Sequence, residues 1–321
     1  MTTRLMKGDC LIESDKIESG SVDLILTDLP YGTMEGQSSS GIYHQGKEKH
    51  EWDNIIPTNK IMEIANRILH KNGKMILFAQ EPFTNKLMNS AIPNLPFNYR
   101  AIWLKDTLGS FMRSKKALLY KTEDILIYSK NHDTEAIHEL RPYFKLVMDF
   151  IGLNIKQINS KLGHRRAEHT FYIDSTQYGL CTYKTYIELI DVFNIHKMDG
   201  FKTFTELKEI DDKFKQRFAS TFNLKEGDKY KSNIFEFKRD RDNYHPTQKP
   251  ILLLEDLIKT FSNENDLVVD LTMGSGSTGV ACKNLGRNFI GIELDETYFN
   301  IAEERIEKHT TQQRLFTGEI K

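Results

Sequence analysis

Cysteine is scarce in this 321-residue sequence, which contains only Cys10, Cys181 and Cys282. The three lie far apart and form none of the close spacings from which metal sites are built, so no metal is expected. An odd number of scattered thiols is typical of a reducing compartment, and the sequence therefore predicts a cytoplasmic protein.

The sequence also has no long apolar run and no large excess of positive or negative charge. No stretch approaches the roughly 20 apolar residues of a membrane-spanning helix, and the N-terminal MTTRLMKGDCLIESDK carries charges where a secretory signal would be apolar. The net charge is −1, so nothing global indicates a nucleic-acid partner. The hydrophobic content of 39% is ordinary for a globular protein.

Positive charge is concentrated locally in three stretches, RSKKALLYK (113–121), KLGHRRAEH (161–169) and FKRDRDNYHPTQK (237–249). Contacts to phosphates require only a local basic face. Each cluster taken alone is more simply interpreted as solvated surface charge.

Strand-like and helix-like segments alternate in residues 1–130 and again in 237–321, which favours a doubly wound α/β sheet. Predicted strands cover 4–9, 22–27, 74–79, 99–104, 123–129, 266–271 and 288–293. Predicted helices cover 59–73, with Gly73 as C-cap, 251–261 and 296–309. Residues 131–236 differ, because helical, charged and aromatic segments dominate, and they are predicted to form a separate, mostly helical region.

Within that region, residues 151–172 predict two short helices with a turn at Gly163. This shape is compatible with a helix-turn-helix reader of DNA and equally with an ordinary helical hairpin.

The stretch TDLPYG (27–32) ends the buried strand VDLILT in an acid, a rigid turn and an aromatic ring. A turn alone would need the proline and the glycine, but not Asp28 or Tyr31. Each of these two residues also has a purely structural interpretation, Asp28 as a helix cap and Tyr31 as a core ring.

A second polar turn follows the strand DLVVDL near the C-terminus, where LTMGSGST (271–278) leads into a helix. Glycines there let a ligand approach the backbone at a helix N-terminus. The loop has no Lys-Ser/Thr as in a triphosphate-binding loop, and Glu293 ends the next strand, where an acid can hold ribose hydroxyls. A dinucleotide, an adenosine cofactor and a simple packing turn remain open.

Both polar turns follow strands and are therefore expected at the same rim of the sheet. Together with HPTQKP (245–250), GKMILFAQEPF (73–83) and YKTEDILIYSK (120–130), they resemble segments of the β-class amino-group DNA methyltransferases. In that class the catalytic half precedes the target-recognition region and the cofactor half comes last. DLPY resembles the D-P-P-Y motif, with Leu29 in place of proline, and Met273 replaces a common aromatic residue.

The resemblance implies a circularly permuted, Rossmann-like methyltransferase sheet. Its parts would be a catalytic half (1–130), an inserted target-recognition region (131–236) and a cofactor-binding half (237–321). It implies S-adenosylmethionine as the cofactor, double-stranded DNA as the substrate, and transfer of a methyl group to the N6 amine of a flipped adenine. A homodimer and a cognate restriction endonuclease are the further partners it suggests, and the sequence itself fixes neither.

Site residues follow by the same resemblance. The catalytic set is Asp28, Leu29, Pro30 and Tyr31. The cofactor set is Asp9, Asp270, Thr272, Gly274, Gly276, Ser277, Thr278, Glu293, His245 and Lys249, of which the last two equally suit a loop between subdomains. The DNA-binding set comes instead from side-chain chemistry, since Arg and Gln can pair with purine edges and a basic loop can contact phosphates: Arg113, Lys115 and Lys116 for phosphates, and Lys156, Gln157, Arg165 and Arg166 for bases.

Other functions remain open at this stage. N4-cytosine methylation uses the same geometry, although an acid at the first motif position favours adenine. A catalytically silent DNA-binding protein of the same fold is a further alternative. RNA or protein amide methyltransferases usually have the opposite motif order, and a dehydrogenase has no use for the DLPY elbow.

Overall fold

The computed structural model describes residues 1–31, 56–109, 115, 118–134, 137–242, 244 and 247–309. They divide into two compact units, a sheet unit of Met1–Asn131 with Thr221–Lys321 and a helical unit of His132–Ser220. Residues 221–236, which the sequence grouped with the helical region, lie in the sheet unit. In the described part of the chain, no helix is long and apolar enough to cross a membrane.

The sheet has eight strands in the order β1-β8-β7-β2-β3-β5-β4-β6. They are β1 (Thr3–Lys7), β2 (Val22–Thr27), β3 (Leu69–Ala79), β4 (Phe97–Gly109), β5 (Tyr120–Ser129), β6 (Ile234–Glu236), β7 (Leu267–Asp270) and β8 (Asn288–Glu293). Only β5 runs antiparallel to its neighbours among these strands. The carboxyl ends of β2 and β7, which precede the two polar turns, are therefore adjacent.

Helices cover both faces of this sheet. They are α1 (Cys10–Glu13), α2 (Thr58–Ile68), α3 (Phe83–Asn89), α8 (Ile251–Phe261), α9 (Ser277–Leu285) and α10 (Glu296–Lys308). Ile25 of β2 faces a core formed with α2 and α3, whereas Leu24 and Leu26 face a core formed with α8, α9 and α10. Because both faces of β2 are buried, its sequence is largely a continuous apolar run. The predicted doubly wound α/β sheet is confirmed.

The predicted helix over 59–73 is too long. Helix α2 ends at Ile68, and Leu69 already pairs with Val22 in the sheet. The register between β2 and β3 then shifts before Lys74, and the intervening bulge is held by a hydrogen bond from the Asn72 amide to the Lys130 carbonyl (2.8 Å). Gly73 therefore lies inside β3 and is not a helix C-cap.

The helical unit contains α4 (Arg141–Ile151), α5 (Ile155–Leu162), α6 (Tyr183–Phe193) and α7 (Phe204–Arg217), packed around a core of its own. Helix α5 ends at Gly163 in the left-handed conformation, as predicted. The second predicted helix is wrong, because only the short 3-10 helix Glu168–Phe171 follows. The chain is held against α6 instead, since His164 and Arg166 both bind Glu188 at 2.8 Å.

Candidate active site

The two polar turns of the sequence meet at the carboxyl edge of the sheet. The Thr272 hydroxyl, in the turn after β7, donates to the Asp28 carbonyl at 3.0 Å. The same hydroxyl lies 2.9 Å from that of Thr27, the last residue of β2. The DLPY elbow and the glycine-rich loop are thus joined directly, although 244 positions separate Asp28 from Thr272.

A cavity of about 350 Å³ opens between these turns. Its volume lies within the range of small-molecule sites. Twelve of the predicted site residues line it: Asp9, Asp28, Leu29, Pro30, Tyr31, Lys249, Asp270, Thr272, Gly274, Ser277, Thr278 and Glu293. His245 lies outside the described residues. The structure thus brings nearly all of the predicted catalytic and cofactor residues to one place.

Carboxylates order the side of the cavity that is formed by the glycine-rich loop. Glu293, which is 7% exposed, accepts the Gly274 amide at 2.9 Å and the Asp295 amide at 2.8 Å. Asp270 accepts the Thr278 hydroxyl at 2.6 Å and the Thr272 amide at 3.1 Å. Burial raises the pKa of Glu293 and raises that of Asp270 to about 6. These bonds fix the glycine-rich loop against the strand ends.

Gly276, which the sequence assigned to the cofactor, does not line the cavity. It is the N-cap of α9, with a positive φ of 81°, and a Cβ there would lie 2.9 Å from the Cβ of Ala302 in α10. The residue is needed for the left-handed backbone and for close packing of the loop on α10.

Asp9 lies beside Glu293, because β1 pairs with β8 and the Gly8 amide donates to the Glu293 carbonyl at 2.9 Å. One oxygen of Asp9 caps α1 by accepting the Leu11 amide at 2.9 Å. The side chain is exposed at the cavity wall, so it combines a structural role with an accessible carboxylate.

The DLPY elbow is anchored by its second residue. Leu29 is 2% exposed and belongs to the core on the α2 side of the sheet. Its apolar side chain thus fixes the turn from within, in place of the proline of the related motif. The Tyr31 ring packs at 5.4 Å from that of Phe83, and its hydroxyl donates to Asp28 at 2.9 Å or to Glu123 at 3.1 Å.

Lys249 faces the DLPY elbow, although the sequence grouped it with the cofactor residues. Its ammonium binds the second oxygen of Asp28 and lies 3.1 Å from Glu123, whose other oxygen binds Lys105 at 2.5 Å. Burial raises the pKa of Asp28 and Glu123 adds to this effect, whereas Lys249 opposes it. Burial would also raise the pKa of Glu123, but Lys249 and Lys105 hold it below its usual range.

Glu123, through Lys249, and Lys105, through Glu123, contact the site without lining the cavity, and they were not predicted from the sequence. Glu123 occurs in β5 in phase with Ile125 and Ile127, and Lys105 occurs in β4 in phase with Trp103, all of them buried. A charge on the apolar phase of a strand is costly unless it is paired. A charged residue at a position where the strand alternation predicts an apolar one was therefore the available signal.

The residues predicted to bind DNA are spread over several segments. Lys156 and Gln157 are exposed in the first turn of α5, where the Gln157 side chain accepts the Asn154 amide at 3.0 Å in a capping box. Lys115 is exposed, and Arg113 and Lys116 lie outside the described residues.

The two arginines of this set are also exposed but not on a helix. Arg165 binds Glu168 at 2.6 Å and Arg166 binds Glu188 at 2.8 Å. A contact with DNA would have to compete with these ion pairs.

The cavity is acidic. Among the described residues that line it, the charged side chains are four carboxylates, Asp9, Asp28, Asp270 and Glu293, and one ammonium, Lys249, which is already paired. Apolar side chains such as Leu26, Phe78 and Leu254 complete the wall. This charge balance disfavours the phosphates of a dinucleotide and suits a positively charged ligand such as a sulfonium.

Known DNA methyltransferases resemble this chain in sequence. A family model for N6 and N4 methylases, described as DNA methylase, matches residues 22–304. The type II methyltransferase M2.LlaDCHI of Lactococcus lactis subsp. cremoris is 49% identical over 67 residues, 21% of this chain and 25% of that protein. The DNA adenine methyltransferase YhdJ of Escherichia coli (strain K12) is 27% identical over 319 residues, 94% of this chain and 82% of that protein. The chain thus covers about a quarter of M2.LlaDCHI but most of YhdJ.

Two solved structures share the fold. The M1.HpyAVI–SAM complex has a TM-score of 0.51 at 19% identity, covering 95% of this chain and 99% of that chain. The cytosine-N4-specific PvuII DNA methyltransferase has a TM-score of 0.50 at 12% identity, covering 98% and 90%. The Rossmann-like methyltransferase fold expected from the sequence is confirmed. Because the family model spans most of the sequence, the chain belongs to the DNA methylase family, whose methyl donor is S-adenosylmethionine.

Proposed function

We propose that this protein is a site-specific DNA methyltransferase that methylates the N6 amine of adenine in duplex DNA. The observation that carries the proposal is the cavity that the DLPY elbow, with its Asp28 carboxylate, lines together with the glycine-rich loop and its flanking acids Asp270 and Glu293. One wall offers acceptors for an amine, and the other offers a site for a cationic nucleoside cofactor.

The elbow supplies what an exocyclic amine lacks. The lone pair of such an amine is delocalised into the base, so it must be turned out of the ring plane before it can attack. The Asp28 carboxylate and the Leu29 carbonyl would accept its two N–H bonds, hold this geometry and stabilise the positive charge that develops on nitrogen. The Tyr31 ring would stack on the base once it has left the duplex.

The cofactor fits the acidic wall. Glu293 would accept the ribose hydroxyls, Asp9 would contact the adenine amine, and Gly274 would let the backbone approach the ligand. Asp270, Thr272, Ser277 and Thr278 would shape the rest of this wall. S-adenosylmethionine, when bound, supplies an electrophilic methyl group on a positively charged sulfur. The carboxylates around the cavity complement that charge.

The choice of adenine over cytosine rests on Asp28. Family members with serine at the first motif position more often modify cytosine, and this chain has an acid there. The similarity to YhdJ, which is named a DNA adenine methyltransferase and is matched over 94% of this chain and 82% of its own length, supports the same choice.

Recognition of the target sequence is assigned to the helical unit. Helices α4 and α5 are joined by three residues, Gly152, Leu153 and Asn154, with Gly152 at a positive φ of 68°. A short glycine turn of this kind is typical of helix-turn-helix motifs, and it places Lys156 in the first turn of the second helix. Lys156, Gln157, Arg165 and Arg166 are the proposed base contacts, and residues 113–116 the proposed phosphate contacts.

A nucleoside digest tests the reaction. The protein is incubated with S-adenosylmethionine and mixed-sequence duplex DNA, the DNA is hydrolysed, and methylated nucleosides are identified by mass spectrometry. We expect N6-methyladenine from the wild type and its loss in Asp28→Ala, by about 100-fold or more. Binding of S-adenosylmethionine to both proteins, measured by calorimetry, shows that the variant is folded.

N4-methylcytosine as the product would retain the mechanism and refute the assignment to adenine. Sequence-specific binding of duplex DNA by the wild type without any methylated base would instead identify a silent DNA-binding protein.

A further inference from the structure

Four alternating charges form a row beside the cavity: Lys105, Glu123, Lys249 and Asp28. The side chains of the first three are 10%, 6% and 8% exposed, and that of Asp28 is 23% exposed. Only Asp28, at the end of the row, belongs to the proposed reacting groups. Lys105 and Glu123 do not line the cavity.

Burying four charges is costly, and a structural ion pair needs only two. Glu123 already has a partner in Lys105, which lies 5.0 Å from the centre of the Trp103 ring. The ammonium of Lys249 is shared by two carboxylates, Glu123 and Asp28, of which Asp28 is proposed to react.

The Tyr31 hydroxyl is shared in the same way. It has a single proton and lies within hydrogen-bond distance of both Asp28 and Glu123, so it can donate fully to only one of them. Asp28 and Glu123 therefore compete for the same two donors, Tyr31 and Lys249.

In the structure both donors lie closer to Asp28 than to Glu123. We propose that Glu123 is a positioning residue that accepts Lys249 and the Tyr31 hydroxyl when the target amine displaces them from Asp28. This inference rests on the proposed function. Lys105 fixes Glu123 in place on its far side, and Lys249 stays within reach of both carboxylates. Without Glu123, both donors would remain on Asp28 and weaken it as an acceptor.

The charges around Asp28 give this proposal a signature in the pH profile. The groups that face Asp28 are Lys249, Glu123 and Tyr31, with the Asp270 carboxylate on the neighbouring strand. Methyl transfer requires ionised Asp28 and is lost as the pH falls through the pKa of that group. Removing the negative charge of Glu123 should lower this midpoint, and removing the positive charge of Lys105 should raise it.

The test is the single-turnover rate of methyl transfer against pH for wild type, Glu123→Gln and Lys105→Gln. We expect the acid midpoint to fall by about one pH unit in Glu123→Gln and to rise in Lys105→Gln. On the plateau, the rate of Glu123→Gln should fall about tenfold or more, while the KM values for DNA and cofactor stay within about twofold.

Lys231→Gln is the matched control. Lys231 forms a partly buried ion pair with Asp256 in the sheet unit, 2.8 Å long and outside the cavity. Its removal should leave the midpoint in place.

An active wild type whose midpoint is the same in Glu123→Gln and Lys105→Gln would overturn the positioning role alone. If Glu123→Gln does not fold, the shift in Lys105→Gln decides. A wild type that forms no methylated nucleoside overturns the proposed function, and the inference with it.

Discussion

Among the described carboxylates that line the cavity, Asp270 is the most deeply buried. Its side chain accepts two hydrogen bonds and is 4% exposed, and burial raises its pKa to about 6 from an ordinary value of 3.8. Above pH 6 the folded protein must hold this group ionised. Because the folded pKa is the higher one, Asp270 lowers the stability of the fold at neutral and alkaline pH and ceases to do so in acid.

Asp270→Asn should therefore be favoured by high pH. The difference in unfolding free energy between variant and wild type should be more positive at pH 8 than at pH 4.5, by about 2 kcal/mol. Urea unfolding at both pH values measures it. If this difference in unfolding free energy is the same at both pH values, or is smaller at pH 8, ionised Asp270 does not destabilise the folded protein.

Asp9 offers a clean test of cofactor binding at the same scale. Asparagine caps a helix about as well as aspartate, so Asp9→Asn should retain the bond to the Leu11 amide and the stability of the fold. The charge that would accept the cofactor's adenine amine is lost, and the affinity for S-adenosylmethionine should fall about tenfold. Unchanged affinity in calorimetry, with an unchanged melting temperature, would remove Asp9 from the site.

Helix α9 carries a glycine at each end, and only one of them is packed. Gly276 and Gly286 both have positive φ, 81° and 69°. A Cβ at Gly276 would meet α10, whereas at Gly286 it would have no neighbour within 4 Å. The two positions separate the effect of backbone conformation from that of packing.

Alanine at these glycines should therefore cost different amounts. Gly286→Ala should lower the unfolding free energy by about 1–2 kcal/mol through backbone strain. Gly276→Ala should cost a further 1–3 kcal/mol, roughly, because the loop must move away from Ala302 and Ile306. Thermal or urea unfolding compares them, and equal losses would contradict the packing role of Gly276.

The elements that the sequence predicted well are those whose pattern is local. Strands β2 and β8 and helix α8 have the predicted bounds, because each is a short apolar segment with clear ends. The end of α2 was missed because Leu69 continues the helical spacing while pairing with Val22 in the sheet. Such pairing depends on a residue distant in sequence.

In the site, too, local motifs could be predicted and contacts between distant residues could not. The elbow and the glycine-rich loop could be found as motifs, and their meeting follows from the rule for parallel strands. The row of charges could not, since Lys105, Glu123 and Lys249 occupy three separate segments whose contact depends on tertiary packing. The position of Glu123 among the buried apolar residues of β5 indicated that its charge is paired, but it did not indicate with which residue.

At the scale of the whole molecule, the cavity is built by the sheet unit alone. A ligand that binds only the folded form stabilises the unit that holds it. S-adenosylmethionine should therefore slow amide hydrogen exchange in the turn after β2 and in residues 271–276. Helices α4 to α7 should show no such change.

Hydrogen exchange with and without the cofactor measures this, with Asp9→Asn as the weak-binding control. Protection that appeared first in the helical unit would contradict the location of the site.

The first and last strands of the sheet lie side by side, because β1 pairs with β8. The cavity likewise takes its wall from both Gly8 and Tyr298, which are far apart in the sequence. During translation, the residues up to Tyr298 must leave the ribosome before the wall can close. A message cut short before the codon for Glu293 thus yields a product without a site, so incomplete synthesis cannot leave partial products that modify DNA.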